Sequence, residues 1–222
     1  MKKQVVVVGL GRLGDSLVKT LMTIGHEVLA LDSDEKLVQA ISPFVTQAVQ
    51  VDSSNESALR ELGVGNFDIG IVVMPEIEIS VISTIVLQKL GVRYIMARAS
   101  STLHGAILEK LGVNKVFYPD RDMGAGIAYV LTLGDIIDYI PVTTGYGVVK
   151  MTVPSDFVGK TISEAGFGYH GVLNVVALLL QRKEEILVNP SASENIKKED
   201  VLVVAGNWDK LEDLFAHIKK SA

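Results

Sequence analysis

The chain has 222 residues, 48% of them hydrophobic, with a formal net charge of −5 and no cysteine. This length allows one large or two modest domains. The lack of cysteine excludes disulfides and thiolate metal sites, and the acidic balance argues against a nucleic-acid partner. There is no uninterrupted apolar stretch long enough for a membrane span, and there is no secretory signal. We therefore expect a soluble, cytoplasmic protein.

A glycine-rich turn follows the first predicted strand, residues 4–8. The first glycine allows a tight turn, the second lets backbone N–H groups approach a phosphate, and the third lets the following helix pack closely on the sheet. The free N–H groups and the positive end of the helix dipole favour an anion here. The alternative is a purely structural glycine turn. The predicted phosphate-binding residues are Gly9, Gly11, Arg12, Leu13 and Gly14.

An acidic residue ends the second predicted strand, residues 28–31. Asp32 lies 18 residues after Gly14, where a carboxylate can accept hydrogen bonds from both hydroxyls of a ribose. A carboxylate at this position would repel a 2′-phosphate. The pattern therefore predicts an adenosine nucleotide with a free 2′-hydroxyl, and Ser33 is included in the predicted site.

Arg12 lies inside the glycine turn. Its guanidinium can reach the phosphates of the bound nucleotide, or those of a nucleotide on a neighbouring subunit. This additional charge suits ATP or ADP at least as well as a dinucleotide such as NAD(H). The alternative is a solvated arginine at the start of a helix.

Six predicted strands alternate with helices, which favours a doubly wound parallel sheet of the Rossmann type. Ligands bind at the carboxyl edge of such sheets. Asp52 and Ser53 follow the third strand and are candidates for contact with ribose or adenine, although an Asx turn or helix cap explains Asp52 equally well. Arg98 lies near the end of the fifth strand. It is a candidate for contact with the phosphates, and the alternative is that it is an ordinary arginine on the surface.

The pattern changes after the sixth strand. Residues 124–138 have the apolar spacing of a single helix, and residues 141–147 have the composition of a linker. The remainder predicts a small α+β domain with a short capped helix at 159–165 and a final helix at 208–219. The apolar face of the long helix requires a partner, either another subunit or the last domain. The last domain is too small to bury much surface alone, which also favours pairing.

These features predict three regions. Residues 1–122 form a Rossmann-like nucleotide-binding domain, residues 123–140 a crossover helix with its linker, and residues 141–222 a small C-terminal domain.

The sequence contains no recognisable catalytic motif. Its four histidines are scattered, and Gly159-Lys160-Thr161 is not a Walker loop because Pro154 replaces the first glycine. We therefore expect no enzymatic activity and a nucleotide that acts as a signal. Two alternatives stay open: an NAD-dependent oxidoreductase with a small substrate domain, and a cyclic-nucleotide receptor acting through the C-terminal domain.

Three segments together resemble one family. They are the Gly-Leu-Gly-Arg-Leu-Gly turn with Asp32, the segment 118–124 before the predicted crossover helix, and the small domain with Val-Pro and Gly-Lys-Thr-Ile. This order is similar to that of the RCK proteins, the cytosolic regulators of Trk/Ktr-type potassium transporters. The resemblance implies binding of ATP/ADP or NAD(H) and homodimers formed through the crossover helix. It also implies an octameric ring docked under a membrane-embedded potassium-translocating subunit, at the inner face of the membrane.

The resemblance also implies roles for particular residues. By position, seven residues match the family's nucleotide site: Gly9, Gly11, Arg12, Gly14, Asp32, Asp52 and Arg98. Asp120 matches an acidic interface position that helps to hold a divalent cation in some members. In some members the C-terminal domain binds cyclic di-AMP, and the matching region contains Asn174, Val175, Arg182 and Pro190.

Overall fold

The computed structural model describes residues 2–132, 136–143, 145–168, 174–207, 209–211 and 213–214. The chain divides into two compact units, residues 1–120 and 121–222. Among the described residues, no helix has both the length and the apolar character that crossing a membrane requires.

The first unit contains a six-stranded, fully parallel sheet in the order β3-β2-β1-β4-β5-β6. This is the strand order of a Rossmann fold, with the switch point between β1 and β4. The strands are β1 Gln4–Val8, β2 Glu27–Asp32, β3 Gln47–Gln50, β4 Ile69–Val72, β5 Tyr94–Arg98 and β6 Lys115–Phe117. The helices are α1 Arg12–Thr23, α2 Glu35–Ile41, α3 Glu56–Glu61, α4 Ile77–Leu90, α5 Thr102–Lys110 and α6 Pro119–Thr132, whose first two residues belong to this unit.

The central strand β1 shows why this sheet forms. Its four valines are all buried, and they alternate between two apolar clusters on opposite faces of the sheet. A strand covered by helices on both faces is apolar at every position, unlike a strand with one solvated face. The predicted parallel sheet is therefore confirmed, together with all six of its strands.

The second unit contains a five-stranded antiparallel sheet in the order β10-β9-β11-β8-β7. One face of this sheet covers an apolar cluster that includes Met151, Leu180 and Leu202. The fold class predicted for the C-terminal region, a separate small domain, is confirmed. The strands are β7 Ile136–Thr143, β8 Tyr146–Thr152, β9 Val175–Arg182, β10 Glu185–Val188 and β11 Val201–Asn207.

Two elements differ from the sequence prediction. The helix predicted over 124–138 ends at Thr132, and residues 136–143 form β7. The predicted linker is the hairpin between β7 and β8, in which Gly145 has a φ of 82°. The residues around the predicted domain start at 141 thus pair within a sheet. Ile136 and Ile137 satisfy a helical spacing, but as β-branched residues they also suit a strand that has β8 as its partner.

The short helix predicted at 159–165 is also absent. Thr161 and Glu164 do exchange capping-box hydrogen bonds: the Thr161 N–H donates to Glu164 Oε2 at 2.8 Å, and the Glu164 N–H donates to Thr161 Oγ1 at 3.1 Å. The segment nevertheless forms an isolated antiparallel bridge from Thr161 to Asn195 and then turns, and Gly166 follows immediately with a φ of 86°. Most of the helix predicted at 208–219 lies outside the described residues.

Candidate functional site

The glycine turn after β1 has the geometry that its sequence predicts. Gly9 has a φ of 97°, a conformation that residues with a side chain rarely adopt. A Cβ on Gly14 would lie 2.0 Å from the carbonyl oxygen of Gly9, so α1 packs against the turn more closely than any side chain would allow. A Cβ on Gly11, in contrast, would meet no atom within 4 Å. The turn therefore leaves no space for a side chain at Gly14, whereas the space beside Gly11 is free of other described atoms.

The open side of the turn leads into the N-terminus of α1. Gly11 is the N-cap residue, and no side chain caps the first turn of this helix. Uncapped N–H groups at the positive end of a 12-residue helix favour an anionic ligand. Arg12 is exposed beside them, whereas Leu13 is half-buried and packs against the core. The backbone and Arg12 can therefore contact an anion, and the Leu13 side chain fixes the helix.

Asp32 holds the turn in place. Its Oδ2 accepts a hydrogen bond of 2.7 Å from the Leu10 N–H, and its Oδ1 accepts one of 2.9 Å from the Asp34 N–H. Each carboxylate oxygen has a further lone pair for a ligand. The structure therefore gives Asp32 a structural contact that sequence reasoning missed, because a β2 acid that bonds to the turn looks the same in sequence as one that binds a ribose.

A cleft of about 200 Å³ opens at the carboxyl edge of the sheet, beside the turn. Five of the residues predicted for the nucleotide site line it together: Gly9, Asp32, Ser33, Asp52 and Ser53. Five apolar residues that the sequence prediction did not assign to the site also line it: Val8, Leu31, Val51, Met74 and Ile79. Met74 follows β4, the strand beside β1. Its position at the same edge of the sheet is the sequence signal that could have assigned it to the site.

The cleft is acidic where β3 ends. Hydrogen bonds from the Ser54 side chain and then from the Ser54 N–H hold the pKa of Asp52 below its usual range, so Asp52 is ionised at neutral pH. The neighbouring Ser53 is 7% exposed, and its hydroxyl lies 2.7 Å from that of Ser83 on α4. Carboxylates and buried hydroxyls at this position can orient a ligand that carries hydrogen-bond donors.

Arg98 is placed differently from the other predicted residues. Its guanidinium pairs with Asp120 at 2.5 Å, and it does not line the cleft. Nearby, the fully buried His104 accepts a hydrogen bond of 3.2 Å at Nδ1 from the Ser100 N–H, which leaves Nε2 to donate to Ser80. Burial and then the charge of Arg98 lower the pKa of His104.

Asp120 does not by itself make a cation site within one chain. Its carboxylate is paired with Arg98, and the described part of the chain has no group of three or more His, Cys, Asp or Glu residues that could hold a metal ion. A divalent cation at Asp120 thus stays a prediction, and it requires ligands beyond those that the described residues supply.

The comparisons with known proteins agree with this architecture. The TrkA-N domain model matches residues 5–119, and the TrkA-C domain model matches residues 148–219. The Ktr system potassium uptake protein C of Bacillus subtilis (strain 168) is 36% identical over 93% of this chain and 93% of its own length. The chain belongs to the RCK family of Trk/Ktr-type potassium uptake regulatory subunits.

Other RCK proteins are similar over the same extent. The Ktr system potassium uptake protein A of the same organism is 32% identical over 92% of each chain. The structure of the GsuK RCK domain has a TM-score of 0.69 and 17% identity, and it covers 98% of this chain but only 48% of its own. This chain therefore spans about half the length of the GsuK chains. A GsuK channel bound to NAD has a TM-score of 0.50, 17% identity, and covers 100% of this chain and 39% of its own.

In the TrkA-C part of this RCK protein, the structure separates the residues predicted to bind cyclic di-AMP. Asn174 and Val175 lie at the start of β9 and Arg182 at its end, about 23 Å apart for an extended strand. Pro190 lies beside the middle of β9, because the neighbouring Asn189 N–H bonds to the Leu178 carbonyl. Val175 is fully buried. One chain therefore does not bring the four into a common site, and cyclic di-AMP binding stays a prediction.

Arg182 has a structural role in this unit. It donates to both oxygens of Asp200, at 3.0 and 2.9 Å, and to Glu194 at 3.1 Å. Asp200 is 1% exposed, and its hydrogen bonds and those of Glu194 raise the pKa of Arg182, which stays charged. The pair fastens the segment 194–200 to β9. Arg182 also lines a cavity of about 390 Å³ with Lys183, Glu185, Lys197, Lys198, Glu199 and Asp200.

Proposed function

We propose that this RCK protein binds ATP/ADP or NAD(H) in the cleft at the carboxyl edge of the first sheet and thereby regulates potassium flux through a membrane-embedded Trk/Ktr-type subunit. The observation that carries the proposal is the cleft itself, which joins an open glycine turn to Asp32 and to the polar end of β3. The TrkA-N match and the GsuK channel bound to NAD support a nucleotide as the ligand.

The size of the cleft indicates which part of the nucleotide would lie inside it. The cleft of about 200 Å³ is smaller than the usual 300–1,000 Å³ of a small-molecule site. It therefore suits the adenosine part, while the phosphates lie outside it, over Gly11 and the N-terminus of α1. Arg12 is exposed beside the phosphates and supplies charge that distinguishes a triphosphate from a diphosphate. Arg98 is held in its pair with Asp120, so we assign it no direct contact with the ligand within one chain.

The proposed regulation depends on assembly. Met123, Ile127 and Leu131 are 66%, 51% and 78% exposed and recur every fourth residue along α6. A stripe of this kind on one helix face supports a homodimer in which α6 contacts its copy. We propose that such dimers form the octameric ring beneath the membrane subunit, at the inner face of the membrane. A nucleotide changes the state of the ring only by binding one state more tightly than the other.

Calorimetric titration of the full chain with ATP, ADP, NAD and NADH tests the binding. Light scattering during size-exclusion chromatography, with and without each nucleotide, tests the assembly. We expect at least one adenosine nucleotide to bind at micromolar concentration or below and to change the mass or shape of the assembly. A monomer that binds none of the four would contradict the proposal.

The oxidoreductase alternative is tested by the same preparation. Absorbance of the reduced nicotinamide is followed with a panel of small carbonyl and alcohol substrates. Turnover would favour the enzyme, whereas binding without turnover is the result expected of a regulatory subunit.

A further inference from the structure

The hydroxyl of Ser53 has a fixed direction. Ser83 donates its own hydrogen to the Ile79 carbonyl at 2.7 Å, and a hydroxyl has only one hydrogen to donate. The 2.7 Å contact between the two serine hydroxyls must therefore be a hydrogen bond that Ser53 donates and Ser83 accepts. Ser83 is fully buried, so water does not compete for this contact.

This direction determines what Ser53 offers to the cleft. With its hydrogen directed to Ser83, the Ser53 oxygen presents only lone pairs to a ligand. The Asp52 side chain is ionised and is likewise an acceptor. Where β3 ends, the polar side chains of the cleft therefore accept hydrogen bonds, and they favour a ligand group that donates them.

The position of this acceptor surface identifies the part of the ligand it meets. Adjacent strands lie about 4.8 Å apart. The glycine turn follows β1, Asp32 ends β2, and Asp52 and Ser53 follow β3, and the three strands are neighbours in the sheet. If the phosphates lie at the turn and the ribose at Asp32, the next step along the edge places the base beside Asp52 and Ser53.

We propose that Ser83 is a positioning residue that makes Ser53 an obligate acceptor, and that the base end of the cleft thereby selects a purine with an exocyclic amino group over one without it. This inference rests on the proposed nucleotide function. The chemical class selected is a 6-aminopurine nucleotide, whose amino group supplies the donors that Asp52 and Ser53 accept.

The test compares two ligands that differ only in the amino group, ADP and purine riboside 5′-diphosphate, by calorimetry on the full chain. In the wild type we expect ADP to bind about tenfold more tightly, which corresponds to roughly one to two hydrogen bonds of about 1 kcal/mol. Ser83→Ala frees the Ser53 hydroxyl to turn its hydrogen toward the cleft, so the preference for ADP should fall about threefold to fivefold. Ser53→Ala removes the acceptor and should produce the same fall.

Thr84→Val is the matched control. Thr84 is also fully buried on α4 and bonds to the carbonyl four residues earlier, at 2.8 Å, but it does not line the cleft. Its variant should keep the wild-type preference. Because Ser83 acts through Ser53, the double variant should show the preference of Ser53→Ala alone.

The outcomes separate the two proposals. If ADP binds but Ser83→Ala keeps the full preference for it, the inference about Ser83 is wrong and the nucleotide site stands. If Ser83→Ala does not fold, Ser53→Ala decides, and an unchanged preference there overturns the inference. If neither ligand binds the wild type, the proposed nucleotide function fails, and the inference fails with it.

Discussion

At the scale of single residues, Asp32 combines a structural and a proposed binding role. The carboxylate receives the Leu10 N–H at 2.7 Å, so it helps to shape the turn before any ligand arrives. Replacing Asp32 by alanine removes the ligand's acceptor and also leaves the Leu10 N–H without its partner. Asparagine separates the two effects, because its side-chain oxygen can still accept from Leu10 while the negative charge is gone.

Asp32→Asn keeps the bond from the Leu10 N–H but loses the one from the exposed Asp34 N–H, which water can replace, so we expect it to unfold in urea within about 1 kcal/mol of the wild type. Asp32→Ala leaves both N–H groups without a side-chain acceptor and should lose about 1–2 kcal/mol. Both variants should bind ADP about tenfold more weakly if two ribose hydroxyls lose a charged acceptor. The preference for ADP over its 2′-phosphorylated form should also shrink in Asp32→Asn. Unchanged ADP affinity and unchanged preference in Asp32→Asn would exclude the ribose contact.

His104 makes the stability of the chain depend on pH. Burial first, and then the charge of Arg98, lower its pKa in the folded state below its value in the unfolded chain. As the pH falls below the unfolded pKa of about 6.5, the unfolded chain binds the proton first, so folding stability decreases in that window. Protonation of Nδ1 would also break the bond from the Ser100 N–H.

Urea unfolding of the wild type at pH 7.5 and pH 5.5 should therefore show lower stability at the acid pH. His104→Gln retains a hydrogen-bonding side chain without the titration, so its loss of stability between the two pH values should be smaller. Equal pH dependence in His104→Gln and the wild type would contradict this role.

At the scale of elements, Gly11 and Gly14 have different roles in the turn and in the start of α1. Gly14 is packed against the Gly9 carbonyl, so its lack of a side chain concerns folding. Gly11 faces open space and has a φ of −59°, which any residue can adopt, so its lack of a side chain concerns the ligand. Sequence spacing indicated both tasks, and the structure shows that they are physically separate.

Alanine at the two positions should therefore give opposite results. Gly14→Ala should cost about 1–3 kcal/mol of unfolding free energy, because the new methyl group forces α1 away from the turn. Gly11→Ala should change stability by less than about 1 kcal/mol, while its methyl group obstructs the phosphates and weakens ADP binding about tenfold. The measurements are urea unfolding and calorimetry. A stable Gly14→Ala that binds ADP normally would refute the close packing of α1.

How much the sequence predicts differs between the two units for a physical reason. In the first unit the central strands β1, β2 and β4 are largely apolar and buried, so local pattern and tertiary burial agree. In the second unit the local signals are ambiguous. Thr161 and Glu164 form a capping box, yet Thr161 bridges to Asn195 and no helix follows, and Ile136 fits a helix as well as a strand until β8 is known.

The positions of the candidate-site residues along the sheet edge were predictable from the sequence, but their side-chain contacts were not. Strand order places Gly9, Asp32 and Asp52 at one edge, and spacing alone indicates them. Sequence could not indicate the Asp32–Leu10 bond, the pairing of Arg98 with Asp120 or the Ser53–Ser83 contact. Each depends on side-chain directions between segments that are distant in sequence, and those directions are set only when the sheet and its helices pack.

At the scale of the whole molecule, the proposed assembly rests on apolar surface that one chain leaves exposed. On α6, Val130 is partly buried against the core of the second unit, while Met123, Ile127 and Leu131 stay in solvent. Three large side chains on one face are an unusual exposure for a chain that exists alone. The proposed twofold dimer would bring this stripe against its own copy, because a twofold interface uses the same surface on both subunits.

The double variant Ile127→Lys with Leu131→Lys should therefore dissociate the dimer, because four lysines would face one another across the twofold axis without partners for their charge. Light scattering during size-exclusion chromatography should give a lower mass than for the wild type, with an unchanged circular dichroism spectrum. Ala125→Lys, exposed on the opposite face of α6, adds charge without touching the stripe and should keep the wild-type mass. If the double variant assembles like the wild type, subunits do not pair through this face of α6, and the proposed homodimer contact is wrong.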